Sequence, residues 1–119
     1  MLAAYAVPIL VVIGIYTAGA IGQFFVPRTF LGLLFGVKTD DPFTLFIARH
    51  WALLASLVGA LLVYAAFHPE VRTPAVAVAF VEKISLAPLV FLGGWRRTAA
   101  ATRMAVIDAV MAVVLLLAA

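Results

Sequence analysis

The sequence predicts an all-α integral membrane protein, a four-helix bundle with a short interfacial or re-entrant helix between helices 1 and 2. Of its residues 67% are hydrophobic and only 11% are charged, whereas a soluble domain carries about 25% charged residues. Its apolar segments are each close to the length of about 20 residues that a helix needs to cross a bilayer. They lack polar/apolar alternation, and backbone groups in lipid must pair within a segment, which excludes strands.

These apolar segments organise the whole chain, residues 1–119, as one transmembrane domain. The first segment lacks a basic n-region, so we expect it to be retained rather than cleaved as a signal peptide. Proline at position 88 frees the carbonyl of Ile84 and predicts a kink in the third helix. The predicted helices cover residues of about 3–24, 44–67, 73–95 and 98–118.

The longest connection, between helices 1 and 2, contains Pro27 and Gly36. Proline is favoured at the first position of a helix and glycine just after its end, so this pair predicts a short element that caps the bundle. Asp40 and Asp41 are interpreted as solvated turn residues. Thr44 is the predicted N-cap of helix 2.

Small residues recur on one face of each of the first two helices, which predicts close approach of the two backbones. In helix 1 they are Gly14, Ala18 and Gly22. The face predicted in helix 2 comprises Ala52, Ser56, Gly59 and Ala60, together with Arg49. The polar side chains of helix 1 are Tyr16, Thr17 and Gln23.

Basic residues are distributed unequally between the two sides of the predicted bundle. Only Arg72 lies on the side of the second connection. Because loops rich in Lys and Arg stay in the cytoplasm, both termini are predicted to be periplasmic or exterior. Six basic residues lie in or near the first and third connections: Arg28, Lys38, Arg49, Arg96, Arg97 and Arg103.

Charged residues occur at the middle of the third and fourth helices, where each costs about 2.5–3.5 kcal/mol on insertion scales. Lys83 and Asp108 match in depth and differ in sign, so they form the first predicted ion pair. Glu82 points about 100° away from Lys83 on a helix. We therefore expect Glu82 to pair with Arg49 or Arg103, whose long side chains lie about 8–10 Å nearer the cytoplasm.

Two interpretations of this cluster remain open. The ion pairs either fix only the helix register, or they line a polar pocket that binds a ligand head group or relays protons. His50 is likewise either an interfacial histidine or a proton acceptor or ligand contact. The candidate ligand-binding residues or members of the charge cluster are Glu82, Lys83, Asp108, Arg49, His50, Arg103 and Tyr16.

Other chemistry finds little support in the sequence. Cysteine is absent, which excludes thiolate metal sites, and we expect neither a metal nor another cofactor. His68 lies about 27 Å along the axis from His50, so the two cannot bind one haem. The chain has a net charge of +3. In a membrane protein such an excess of Lys and Arg is typical of cytoplasmic loops that face anionic lipid, so nucleic acid is not an expected partner. No motif identifies a catalytic residue.

Three stretches resemble the DoxX-like group of small bacterial four-helix membrane proteins. The first follows helix 1, the second runs through helix 2, and the third is the charged part of helix 3. This resemblance implies a four-helix fold in the bacterial inner membrane, and it implies no catalytic residue. The stretches read FFVPRTFLGLLFG, RHWALLASLVGALLVYAAFHPE and FVEKISLAPLVFL.

The leading functional hypothesis is a buried polar pocket for a lipid-like or amphiphilic small molecule, with Arg49 and His50 towards its cytoplasmic mouth. Charges at the midplane beside small-residue helix faces support it. One alternative is an accessory subunit that packs against a larger membrane complex or forms a homo-oligomer. The other is a membrane-embedded, isomerase-type enzyme that uses an acidic side chain on a lipophilic substrate. Membrane lipids are expected partners in each case.

Overall fold

The computed structural model describes residues 3–92 and 98–118, which form helices and turns without a strand. This confirms the all-α prediction. The helices are α1 Ala6–Ala18, α2 Ile21–Phe25, α3 Pro27–Phe30, α4 Pro42–Ala66, α5 Arg72–Ile84, α6 Leu86–Leu92 and α7 Ala99–Ala118. Three short turns of other helical types lie at Ala3–Tyr5, Leu31–Phe35 and Pro69–Val71.

Within the described residues, four helical stretches are long and apolar enough to cross a membrane. Their length and composition indicate an integral membrane protein. The predicted end of the third helix, near residue 95, falls outside the described residues. The four spans are Ala6–Phe25, Pro42–Ala66, Pro69–Leu92 and Ala99–Ala118.

The second span begins at Pro42, two residues earlier than predicted, because Asp41 and not Thr44 is its N-cap. The Asp41 carboxylate accepts hydrogen bonds from the Thr44 backbone N–H at 2.9 Å and from the Thr44 hydroxyl at 2.6 Å. It thereby satisfies a donor that the first turn of the helix leaves unpaired. Asp41 is exposed before the helix, as predicted, but it also caps the helix, a role that the sequence analysis assigned to Thr44.

This cap makes the stability of the second span dependent on pH. The hydrogen bonds from the Thr44 side chain and backbone hold the pKa of Asp41 below its ordinary value. A lowered pKa contributes stability above the unfolded-state pKa, and that contribution is lost as the pH falls through the folded-state pKa. We expect Asp41→Ala to lower the melting temperature at pH 7, with a deficit that shrinks below about pH 4.

Thermal unfolding in detergent from pH 7 to pH 3 measures this deficit. Asp41→Asn is the matched control, because asparagine keeps a capping oxygen but does not titrate. It should retain most of the stability at pH 7. A deficit of Asp41→Ala that stays constant across the whole pH range would contradict a capping carboxylate.

Small residues bring the first two spans into close contact, as predicted. A Cβ atom added at Gly14 would lie 2.7 Å from Cγ2 of Val63 and 2.8 Å from the carbonyl oxygen of Gly59. A Cβ atom added at Gly59 would overlap the backbone of Ala18. Neither glycine can therefore carry a side chain without separating the two helices.

The predicted face of helix 2 was wrong at its edges. Arg49 and Ala60, assigned to the small-residue face, are both exposed. Each follows directly after a buried residue, Ala48 and Gly59, and one residue turns the helix by about 100°. The buried stripe of α4 consists of Ala48, Ala52, Ala55, Ser56, Gly59, Leu62, Ala65 and Ala66.

The short element between the first two spans forms as predicted, from Pro27 to Phe35. Gly36 ends it with a φ of 66°, in the left-handed region that favours glycine. The ring of Phe30 packs directly against Gly22. The carbonyl of Phe35 accepts a hydrogen bond from the Thr98 hydroxyl, which ties this element to the start of the fourth span.

The third span is interrupted where the sequence predicted a kink. The α5 helix ends at Ile84 and α6 begins at Leu86, with Ser85 between them. Pro88 has no N–H to donate to the carbonyl of Ile84, which accounts for the break at this place. The Ser85 hydroxyl donates to the carbonyl of Glu82 at 2.9 Å. The break thus lies just after Glu82 and Lys83, at the C-terminal end of α5.

Candidate functional site

Lys83 lies at the centre of a charge cluster between α5 and α7. Its side chain is 2% exposed, and its Nζ lies 3.8 Å from Oδ1 of Asp108 and 3.8 Å from Oε1 of Glu82. The predicted pairing of Lys83 with Asp108 is therefore confirmed. One ammonium group thus lies at ion-pair distance from two carboxylates.

The predicted pairing of Glu82 with an arginine is wrong. Arg49 and Arg103 are both exposed, and the ion-pair partner of Glu82 within the described residues is Lys83. The prediction considered only that the Cβ atoms of Glu82 and Lys83 leave the helix about 100° apart. The four-carbon stem of lysine is long and flexible enough to place its ammonium between a neighbour on its own helix and one on another.

The ion pairs of the cluster leave hydrogen-bonding capacity unused. Both separations of 3.8 Å exceed the reach of a hydrogen bond. Within the described part of the chain, Oε1 of Glu82 is buried and accepts no hydrogen bond. A buried acceptor without a donor is costly. An additional hydrogen-bond donor next to Glu82 would therefore stabilise the cluster.

A cavity of about 230 Å³ adjoins the cluster. Glu82, Lys83 and Asp108 contribute to its wall, and small residues such as Ala52 and Ala55 leave the space open. Residues from all four spans and from the element between the first two contribute to the lining. The larger apolar side chains of the wall are Phe30, Leu34, Trp51 and Met104. The cavity therefore combines charged groups with an apolar wall.

The cavity reaches the surface of the bundle. Two of its lining residues, Tyr16 and Trp51, are 48% and 37% exposed. Both lie within membrane-spanning stretches, so this surface would face lipid. The hydroxyl of Tyr16 lies 4.0 Å from Sδ of Met104, across the cavity from α1 to α7. The arrangement would admit a molecule laterally from the bilayer.

The structure brings four of the seven predicted site residues together and leaves three apart. Tyr16 joins the three charged residues of the cluster in the cavity wall. Arg49, His50 and Arg103 are exposed and do not line this cavity, which corrects the predicted cytoplasmic mouth. The outward direction of His50 agrees with the leucines predicted on its face, Leu54, Leu57 and Leu61, which are also exposed.

Two residues of the cavity wall, Trp51 and Gln23, were not among the predicted site residues. Trp51 follows His50 directly and lines the wall beside the buried Ala52. Gln23 also lines the cavity and donates from Nε2 to the carbonyl of Ala48 at 2.9 Å, which joins α2 to α4. The signal available in the sequence was the spacing of Ala48, Ala52 and Ala55, which marks the buried side of α4.

No match to the chain is found among protein-family models, curated proteins or solved structures. The residues described here contain no group of three His, Cys, Asp or Glu side chains placed to hold a metal ion. The function is therefore inferred from the geometry of the cavity itself.

Proposed function

We propose that the protein binds a lipid-like or amphiphilic small molecule in the central cavity. The observation that carries this proposal is the position of a buried charge cluster, with an acceptor that lacks a donor, in the wall of an otherwise apolar cavity. The polar end of the ligand meets Glu82, Lys83 and Asp108. Its apolar part contacts the aromatic and aliphatic wall.

The charges of the cluster favour a particular polar end. When all three groups are ionised, two carboxylates and one ammonium give a net charge of −1. A cationic group that donates hydrogen bonds, such as an ammonium, balances this charge and supplies the donor that Oε1 of Glu82 lacks. An anionic polar end is repelled. We therefore propose a cationic amphiphile as the preferred ligand class.

The size of the cavity sets how much of the ligand it holds. Its volume of about 230 Å³ is below the range of about 300–1,000 Å³ that encloses drug-sized ligands. The cavity thus receives the polar end and the first carbons of an amphiphile, and the rest of the chain lies in the lipid. From the resemblance and the distribution of basic residues, we propose that the protein lies in the bacterial inner membrane with both termini periplasmic or exterior.

The alternatives receive less support from the contacts. An accessory subunit would use the small-residue ridges of the first two spans to contact its partner, yet Gly14 and Gly59 already pack against each other within the chain. An acid–base enzyme needs an unpaired carboxylate, whereas Glu82 and Asp108 both lie at ion-pair distance from Lys83. Ligand binding uses the cavity and the cluster as they stand.

Quenching of Trp51 fluorescence tests the proposal. The chain has two tryptophans, so Trp95→Phe leaves Trp51, in the cavity wall, as the single reporter. Two brominated amphiphiles of equal chain length are titrated into neutral maltoside micelles, one with an ammonium head and one with a sulfate head. A charge-assisted hydrogen bond contributes about 1.5–3 kcal/mol. The ammonium probe should therefore saturate quenching at a concentration at least about tenfold lower than the sulfate probe.

Variants of two glutamates complete this experiment. Glu82→Gln removes one negative charge from the cluster and should abolish most of the preference for the ammonium probe. Glu70→Gln is the matched control, because Glu70 is exposed at the start of the third span and does not line the cavity. Equal quenching by both probes, or a preference that survives Glu82→Gln, would refute a cationic ligand at this cluster.

A further inference from the structure

A second cavity lies where the first and second spans approach the membrane surface on the side of their connection. It has a volume of about 550 Å³ and lies between the α2–α3 junction and the first turns of α4. It shares no lining residue with the central cavity. We refer to it as the arginine groove, after Arg28 and Arg49 in its wall.

The charges of the arginine groove leave a net positive charge. Arg28 donates from Nε to Oδ1 of Asp40 at 2.7 Å, so this pair is neutral overall. Arg49 is exposed, and no carboxylate of the described residues lies within ion-pair distance of it. Two guanidinium groups and one carboxylate give the groove a net charge of +1. A guanidinium has five N–H donors, so Arg28 also retains donors beyond its contact with Asp40.

The same groove has an apolar side. Phe25 and Phe46 line it and are 70% and 64% exposed. Phe25 ends the first span, and Phe46 lies in the first turns of the second. Exposed phenylalanines at these positions would lie against the part of the lipid acyl chains next to the headgroups. Cationic and apolar groups therefore face one space.

The depth of the two arginines fits the headgroup region. Arg28 lies just beyond the end of the first span. Arg49 lies seven residues inside the second span, about 10 Å along the helix axis, and a long arginine side chain can reach back towards the interface. Guanidinium groups bind phosphate oxygens through two parallel hydrogen bonds.

We propose that the arginine groove binds one anionic phospholipid. Arg49 and the free donors of Arg28 hold its phosphate, and an acyl chain lies against Phe25 and Phe46. Basic pockets between membrane helices commonly recognise anionic headgroups in this way. The site is separate from the central cavity, so the proposal stands or falls independently of the ligand there.

Native mass spectrometry in neutral maltoside micelles tests this site with added phosphatidylglycerol or phosphatidylcholine. The wild-type protein should retain one phosphatidylglycerol at concentrations where phosphatidylcholine is not retained. Arg49→Gln should lower the affinity for phosphatidylglycerol about tenfold, the effect of losing one charge-assisted contact. Arg103→Gln is the matched control, because Arg103 is also exposed within a span but does not line the groove. It should leave retention unchanged.

A variant of Asp40 should change the affinity for phosphatidylglycerol in the opposite direction. Asp40→Asn removes the negative charge from the groove and releases Nε of Arg28, so retention of phosphatidylglycerol should increase. Because Asp40 and Arg49 are both exposed, neither substitution should disturb the fold, and circular dichroism checks this. Arg28→Gln provides a second loss-of-binding variant if Arg49→Gln loses helicity.

Three results would overturn the proposal. The first is equal retention of the two lipids by the wild-type protein. The second is a loss in Arg103→Gln as large as that in Arg49→Gln, since this would show a general effect of surface charge. The third is full displacement of phosphatidylglycerol by inorganic phosphate at the same concentration, which would make the occupant a phosphate ion and not a lipid.

Discussion

Replacing Lys83 with methionine should lower the free energy of unfolding by about 3–5 kcal/mol, the cost of breaking a buried ion pair by removing one partner. Lys83 is almost completely buried, and its ammonium is the cation that faces both Glu82 and Asp108. Methionine fills similar space without charge, which leaves two carboxylates facing each other where little water reaches. Reversible unfolding in mixed micelles, followed by circular dichroism, measures the change.

Two further variants separate charge from packing. Adding Glu82→Gln and Asp108→Asn to Lys83→Met should restore most of the stability, because neutral replacement of a whole buried ion group is often neutral or stabilising. Lys38→Met is the matched control on an exposed lysine, with an expected change within about 0.5 kcal/mol. If the triple variant is as unstable as Lys83→Met alone, the loss comes from packing and not from charge.

The triple variant also distinguishes the two interpretations of the cluster. A cluster that only fixes helix register should be replaceable by neutral groups without loss of any binding. A cluster that receives the polar end of a ligand should lose its preference for the ammonium probe even when the fold is stable. Stability and probe binding measured on one protein therefore separate the structural role from the functional one.

The sequence was sufficient to predict the spans and one ion pair. Residues in lipid have few options, so length and hydropathy determine where the helices run, and Pro27, Gly36 and Pro88 mark breaks that depend only on local backbone geometry. The pairing of Lys83 with Asp108 followed from depth and sign. These features depend on position along a helix, which the sequence gives directly.

The cavity depends on rotation about the helix axes, which the sequence does not give directly. The small residues of α4 are compatible with two neighbouring faces, one that includes Arg49 and another that includes Ala48. The two faces are related by a rotation of the helix by one residue, about 100°. The choice between them decides whether Arg49 or Trp51 approaches the cavity. The packing of Phe30 against Gly22 also closes part of the wall. This contact joins two elements separated by a turn, so no helical periodicity reveals it.

Replacing Gly59 with alanine should lower the free energy of unfolding by about 1–3 kcal/mol or more, the usual range for overpacking. The added Cβ would overlap backbone atoms of Ala18. Backbone atoms cannot rotate away as the end of a side chain can, so α1 and α4 have to move apart along their contact. The same unfolding measurement in mixed micelles applies here.

Gly32→Ala is the matched control, because its new Cβ would lie 3.9 Å from the carbonyl oxygen of Val37, an ordinary contact. Its stability should stay within about 0.5 kcal/mol of the wild type. Gly14→Ala should be destabilising as well, and the double variant with Gly59→Ala should fall short of the sum, since the two glycines share one contact. A Gly59→Ala protein as stable as the wild type would contradict this contact. If it also lost a co-purifying subunit, the ridge would serve a partner, and the accessory-subunit hypothesis would then replace the binding proposal.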